Sequence, residues 1–369
     1  MKTYLCSMLL TQLSLFTLIV LVTKNKSLRN SKKLWFILSS ILIMVCALLE
    51  FFGVLLEENS ASFRTLLMIV KFMEFSSAPV IPVAFAAAFY PIRSLKTAFI
   101  PSGIHVLIEI VSLFGGFIFY IDDNNVYHHG KAYFIYYVFV LISIVYLFHT
   151  VVKYGAQYQN RNNLPLIMIL IFVLVGVVAH IVDRVIRMTW LAAGMGMILF
   201  YVYYCNMVYQ IDVLTGLLNR RAFEVREATL KKRAYIVFFD VNNFKSINDR
   251  YGHYSGDLCL KYVASAIMKV YQKNGLCYRI GGDEFCAILD RRIHSCRIDE
   301  LNALFEQELS AKETDAFPMP LVAIGYAFCE SGVTAVADAV HQADTRMYLD
   351  KTQKKENKSS SCISPEYLL

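Results

Sequence analysis

The chain has 369 residues, 57% of them hydrophobic, and a formal net charge of +7, a length that allows two or three domains. The apolar excess lies almost wholly before residue 209, which excludes a uniformly soluble protein. The basic residues sit in "KNKSLRNSKK" between apolar segments and in the tail "KKENK", a distribution of membrane topology and solvated tail that argues against nucleic acid as a partner.

In chain order, seven stretches carry the roughly 20 apolar residues that a membrane-crossing helix needs. They are Tyr4–Thr23, Leu34–Leu56, Phe63–Tyr90, Ala98–Ile121, Phe134–Val152, Leu166–Val185 and Thr189–Tyr209. The first lacks a small-residue cleavage site and reads as a retained helix. The third carries Lys71, Glu74, Pro79 and Pro82 and is expected to kink or break. Lys24, Lys26, Arg29, Lys32 and Lys33 follow the first span, Arg93 and Lys96 the third, and Lys153 and Arg161 the fifth. The positive-inside rule then puts the N-terminus outside and everything after Tyr209 in the cytoplasm of a multi-pass membrane protein. Trp35 and Trp190, each at a helix start, suit an interfacial aromatic belt.

Glu50, Lys71, Glu74, His105, Glu109, His180, Asp183 and Arg184 lie within or near these spans. Such residues are costly in a bilayer and face the bundle interior. Two readings stand: structural pairing, as for Lys71 and Glu74 three residues apart, and a site for an unidentified signal ligand. Around "VIPVAFAAAFY" the region loosely resembles the seven-helix sensor regions of some bacterial histidine kinases. The last span runs through "YVYYCNMVYQ" into "IDVLTGL" with no Gly/Ser/Pro linker, which predicts a continuous helix into the next domain.

From Ile211 the pattern becomes alternating α/β. "YIVFFDV" (Tyr235–Val241) reads as a buried strand, "FKSINDRYGHYSGDLCLKYVASAIMKVYQK" as a turn leading into a helix, and "LCYRIGGDEFCAIL" as a hairpin. "IDELNALFEQELSAK" is helical, "PLVAIGYAF" a strand and "TAVADAVHQADTRMYLDKTQK" a final helix, which together predict a sheet covered by helices. Of the cysteines here, Cys259, Cys277, Cys286, Cys296, Cys329 and Cys362, none forms a CxxC pair; zinc is not expected, and a reducing compartment is. There is no Walker loop and no HExxH. Asp240 falls at a strand end and Asp283 at the tip of a glycine turn, where two carboxylates together suit Mg²⁺ bound to phosphate oxygens.

"DVLTGLLNRRAF", "FFDVNNFKSINDRYGHYSGD", "YRIGGDEF", "VAIGYA" and "ADTRMYLDK" together resemble a GGDEF domain, the catalytic domain of diguanylate cyclases, from Asp212 to about Lys355. The apolar spans predict an N-terminal all-α transmembrane bundle over residues 1–209 and the composition a flexible tail over 356–369; the resemblance implies a nucleotide-cyclase-like, ferredoxin-like α/β domain over 210–355 and a bacterial inner membrane as its place. It implies condensation of two GTP into cyclic di-GMP and two pyrophosphates by a homodimer, with Mg²⁺ or Mn²⁺ as cofactor and cyclic di-GMP receptors downstream. Asp240, Asp283 and the Val241 carbonyl would hold the metal; Asp283, with Glu284 and Lys245, would be catalytic. Asn248 and Asp257 match guanine-reading positions and His253 a substrate-site position. Asn243 and Phe244 backbone N–H groups, with Lys245, would hold the triphosphate, as would Lys351 and Lys355; Arg279 is the basic residue kept before the turn.

Three departures stand out. Asn242 replaces a common second carboxylate, and Lys354 and Lys355 replace a glycine and an arginine. The Arg-x-x-Asp product-inhibition signature reads "QKNG", Gln272 to Gly275, so feedback through that site is not expected. Two alternatives remain: a non-catalytic GTP-binding scaffold, and a cyclase that uses ATP as well as GTP.

Overall fold

A computed structural model describes residues 2–26, 28–57, 59–89, 95–157, 163–182, 187–230, 232–290, 295–312, 319–330 and 333–361. Arg93, Arg161, Asp183 and Arg184 lie outside them, as do the ends proposed for the third and sixth spans. The chain divides into two compact units, residues 1–205 and 206–369, and each is described by itself.

The first unit is a helical bundle of α1 (Lys2–Lys24), α2 (Asn30–Glu57), α3 (Arg64–Ser77), α4 (Val80–Ala86), α5 (Leu95–Ala98), α6 (Ile100–Gly115), α7 (Phe134–Gln157), α8 (Leu164–Val182) and α9 (Thr189–Val208). Among the described residues six helical segments are long and apolar enough to cross a membrane: Tyr4–Lys24, Asn30–Glu57, Ala61–Ala86, Phe134–Gly155, Leu164–Val182 and Thr189–Val208. The fourth expected span is different. Its helix, α6, has 16 residues and is about 24 Å long, short of a hydrocarbon core of roughly 30 Å. Gly116 ends it in the left-handed conformation, with φ +63°. The chain then turns into a hairpin, β1 (Phe119–Ile121) against β2 (Tyr127–His129), where the sequence reading had a helix end and a polar loop.

The expected break in the third span comes at Ala78–Pro79, between α3 and α4. A proline has no N–H for the carbonyl four residues back, here that of Phe75. His105 of α6 supplies the missing partner, its Nε2 lying 3.3 Å from the Phe75 carbonyl oxygen. Glu50, Lys71, Glu74, His105 and Glu109 are all buried. Trp190 is buried too, inside the bundle rather than on an outer belt.

The second unit follows from the alternation of its strands. It comprises α10 (Arg220–Thr229), β3 (Ala234–Val241), α11 (Phe244–Tyr251), α12 (His253–Tyr271), β4 (Leu276–Arg279), β5 (Glu284–Leu289), α13 (Ser295–Ser310), β6 (Val322–Cys329) and α14 (Val333–Ser361). The order across the sheet is β4-β5-β3-β6, with every neighbour antiparallel. This is the ferredoxin-like βαββαβ arrangement. Val237, Phe239 and Val241 point to one face and pack with Phe285, α12 and α13. Ile236 and Phe238 point to the other and pack with α10 and α14. Helix α14 lies close against β6: a Cβ on Gly325 would sit 2.1 Å from the Met347 nitrogen and 2.2 Å from the Ala343 oxygen. It also continues through Ser361, beyond the expected start of a tail at 356.

Exchanging His105 for Leu removes the partner of a buried carbonyl in the first unit. The expected cost is about 1–3 kcal/mol, to be read as a lowered unfolding midpoint of the purified chain in detergent. An unchanged midpoint would separate His105 from the proline break.

Candidate active site

Strand parity builds the site. Asp240 lies on the same face of β3 as Ile236 and Phe238, so it points toward α14, and in the sheet register it stands directly opposite Glu284, the first residue of β5. Like charges directly opposed across a strand pair repel. Lys351, on α14, answers this with its Nζ 2.6 Å from Asp240 Oδ1. Asp240 is buried; Glu284 is exposed and Asp283 half-buried.

The turn between β4 and β5 is fastened at several points. The Ile280 and Gly281 N–H groups donate to the Glu284 carbonyl (3.0 and 3.3 Å), and the Val241 N–H donates to the Asp283 carbonyl (3.2 Å). Neither Gly281 nor Gly282 takes a positive φ. Gly281 is needed for another reason: a Cβ there would meet Glu284 Oε2 at 2.6 Å, so the glycine makes room for the carboxylate. Arg279 braces the turn from the β4 side. Its Nη2 donates to the Gly282 carbonyl (2.7 Å), and its Nη1 to Asp212 Oδ1 (3.1 Å). Asp212 Oδ1 also accepts from the Thr215 N–H (2.9 Å) and hydroxyl (2.6 Å). Burial pushes the Asp212 carboxyl up, but the bonds from Thr215 and Arg279 outweigh it and the net direction is downward. Asn219 caps α10 by accepting from the Ala222 N–H (3.0 Å) and donates to the Tyr209 carbonyl (2.7 Å).

Burial, then the Asp240 charge, holds Asp283 above the ordinary carboxylate range. Glu284 is raised by burial and Asp240 in turn, with Asp283 and Asp344 adding to it. Asp344, on α14, is a member of this acidic group that the motifs did not single out; its place one helix face from Lys351 shows only once α14 is laid on the sheet.

The remaining sequence-selected residues lie on α11, α12 and α14. Asn243 precedes α11 with φ +56°, an uncommon backbone for a residue other than glycine, and Phe244 and the exposed Lys245 form its first turn. Asn248, on α11, packs against α12 at Gly256, where a Cβ would lie 2.0 Å from Asn248 Oδ1. Asp257 and His253, both exposed, are on the same helix, α12. Lys355 lies one turn beyond Lys351 on α14. Lys354, at the family's glycine position, is tied down to the Val322 carbonyl (2.9 Å), Glu306 (3.1 Å) and Asp350 (3.0 Å). Asn242 is buried, and among the described residues neither polar atom of its side-chain amide has a hydrogen-bond partner.

Among the described residues no three His, Cys, Asp or Glu side chains gather as a metal cage. Mg²⁺ does not require one, because it commonly takes one or two carboxylates and completes its shell with water and substrate phosphate. Asp240 at the end of β3 and Asp283 on the adjoining turn are close enough to repel each other and could supply two such oxygens.

The second unit is a ferredoxin-like α/β domain with carboxylates at adjoining strand ends and a lysine on the covering helix. The family model described as "Diguanylate cyclase, GGDEF domain" matches residues 209–357. The chain is 33% identical over 156 residues to "Diguanylate cyclase DgcP" of Escherichia coli, covering 39% of this chain and 45% of that one. It is 33% identical over 155 residues to "Diguanylate cyclase DgcS" of Shewanella oneidensis, covering 40% and 51%. A 19.3 kDa protein of Streptomyces ambofaciens is 32% identical over 149 residues, which cover 39% of this chain and 79% of that protein. The chain belongs to the GGDEF-domain family of diguanylate cyclases, and it spans about half the length of the first two relatives.

The raised carboxylates carry a pH signature. The folded domain holds the protons of Asp283 and Glu284 more tightly than the unfolded chain does. Their contribution to stability is therefore greatest below the ordinary carboxylate range and falls as pH rises through the raised values. Millimolar Mg²⁺ is expected to raise the unfolding midpoint at neutral pH, with the shift shrinking toward about pH 4 as the carboxylates protonate. A shift of equal size at both pH values would exclude these carboxylates as its source.

Proposed function

We propose that the chain is a membrane-tethered diguanylate cyclase that joins two GTP into cyclic di-GMP. The observation that carries this reading is the register pairing of Asp240 with Glu284 beneath Lys351, with the glycine turn tied to Val241 through the Asp283 carbonyl. In the proposed reaction the 3′-hydroxyl of one GTP attacks the α-phosphate of the other. The new O3′–P bond forms as the bond to the β-phosphate bridge breaks, pyrophosphate leaves, and a second such step closes the ring. Each domain presents one nucleotide, so two subunits are needed.

Mg²⁺ or Mn²⁺, held by Asp240, Asp283 and the Val241 carbonyl, would neutralise phosphate charge. Lys245 at the first turn of α11, with the Asn243 and Phe244 N–H groups, would steady the triphosphate, and Lys351 and Lys355 would add charge from α14. Asn248 and Asp257 would read guanine, with His253 beside them. Asp283 and Glu284 are the carboxylates available to receive the proton of the attacking hydroxyl. Arg279 would act by holding the turn between Asp212 and Gly282. The apolar helices of the first unit would anchor the protein in the bilayer, with the GGDEF domain on the cytoplasmic side.

Purified full-length chain in lipid nanodiscs, supplied with GTP and Mg²⁺, is expected to form cyclic di-GMP. Asp283→Asn and Asp240→Asn should each lower the rate at least about 100-fold, in line with loss of a metal-held transition state. Retained activity in Asp283→Asn would sink the assignment. An inactive wild-type chain that still binds GTP would favour the scaffold reading, and competition by ATP would favour mixed nucleotide use.

Product feedback is a separate matter. Gly275, where the inhibitory signature has its aspartate, lies against β5 so closely that a Cβ would be 2.1 Å from the Ile288 carbonyl oxygen. The proposed cyclase is therefore expected to keep its initial rate when cyclic di-GMP is added at tens of micromolar. A drop of severalfold would reveal an inhibitory site built from other residues.

A further inference from the structure

The interior of the first unit holds a cavity of about 220 Å³, bounded by residues of α2, α3, α4, α7, α8 and α9. An engineered apolar cavity of about 150 Å³ already accepts benzene, so this space suffices for a ring with a short side arm. Its wall is mostly apolar and aromatic, with Phe75, Tyr136 and Trp190 among the rings. Two carboxylates interrupt that wall, Glu50 and Glu74, only 4% and 7% exposed.

What stands behind these carboxylates decides what the cavity can hold. Glu50 Oε2 accepts from the Tyr4 hydroxyl (2.8 Å), and Glu74 Oε2 from the Lys71 ammonium (3.1 Å). Arg187 lies over the outer ring, 5.5 Å from the centroid of Tyr4. Neither Lys71 nor Arg187 lines the cavity. The two cations thus sit outside; apart from the His180 imidazole and a few hydroxyls, the inner surface offers carboxylate oxygens and aromatic faces. Both attract positive charge, and rings around a desolvated cation are the usual means of holding an ammonium. A neutral apolar guest would leave both carboxylates facing hydrocarbon, which is costly. An anion would be repelled.

We infer that the interior of the N-terminal unit is a binding site for a small amphiphilic amine, an apolar or aromatic body bearing one cationic nitrogen. The nitrogen lies between Glu50 and Glu74, and the body fills the aromatic space toward Trp190. The site is separate from the nucleotide chemistry of the second unit and is tested without it.

The chain has two tryptophans, so Trp35→Phe leaves Trp190 as the sole reporter. The full chain carrying that change, in phosphatidylglycerol nanodiscs at neutral pH, is titrated with phenethylamine and with its neutral analogue 2-phenylethanol. The amine is expected to change Trp190 emission saturably, at concentrations at least tenfold below those the alcohol needs. Glu50→Gln should weaken the amine at least tenfold and leave the alcohol where it was. Because replacing a buried glutamate can cost folding, Val140→Phe supplies an independent arm: it keeps both carboxylates, fills the cavity and should weaken both probes. Adding phosphatidylethanolamine to the nanodiscs distinguishes sources; competition with phenethylamine assigns the amine to a lipid headgroup, and no competition assigns it to a free molecule. Equal responses to the amine and the alcohol, or an amine affinity unmoved by Glu50→Gln and Val140→Phe, would overturn the inference.

Discussion

Directly opposed carboxylates on neighbouring antiparallel strands repel, and the C-terminal domain carries Asp240 opposite Glu284 only because Lys351 reaches over from α14. Much of the domain serves that contact. The even-numbered residues of β3 must face α14, which the ferredoxin-like order and the apolar packing of Ile236 and Phe238 secure. Helix α14 must lie close to the sheet, which the bare backbone at Gly325 permits. The turn bearing Asp283 must stay at the end of β3, and its bonds to Val241 and Arg279 hold it there.

The N-terminal unit meets a related problem with different means. A proline in a membrane helix frees a carbonyl that lipid cannot satisfy. Here the freed Phe75 carbonyl is met by His105, and the Pro79 carbonyl by the hydroxyl of Ser102 at 3.4 Å, both from α6. The short helix α6 thus has a structural reason to carry a buried histidine. Polar groups within apolar spans divide accordingly: some repair the backbone, and others, Glu50 and Glu74, line the cavity.

The strands of the second unit were legible from the sequence because their apolar residues are continuous on a sheet buried on both faces. β3 and β6 fall close to where "YIVFFDV" and "PLVAIGYAF" place them, and β4 and β5 form the hairpin of "LCYRIGGDEFCAIL". Helix α10 is hidden in the sequence, since its first turn, "RRAF", reads as part of a motif before it reads as a helix; its Asn219 cap is the available signal. The break at Pro79 was readable, because proline acts locally. The end of α6 was not: hydropathy continues through "FGGFIFYI", and only Gly116 marks where the helix stops. Hydropathy reports solubility in lipid and is blind to backbone direction. Among site residues, Asp240, Glu284 and Lys351 stand together at the end of β3, with Asp283 on the adjoining turn. Asp344 and Asp212 needed the fold, because their roles depend on which helix face or turn stands beside them. Arg279, the basic residue before the turn, has its guanidinium engaged by Asp212 and the Gly282 carbonyl, a brace that spacing along the chain does not reveal.

The Lys351–Asp240 contact also bears on ion choice. A tethered ammionium already occupies the approach to Asp240, so any ion that settles there enters by exchange rather than by simple addition. Replacing one positive charge with another of equal charge changes little in the local field, and the incoming ion must also shed water. A sodium or potassium ion therefore gains almost nothing from the trade. A divalent ion leaves the pocket one charge more positive, against two carboxylates and an incoming polyphosphate. In the proposed cyclase the lysine would thus act as a valence filter, holding the site against the abundant monovalent ions of a cell without any geometric selectivity at all.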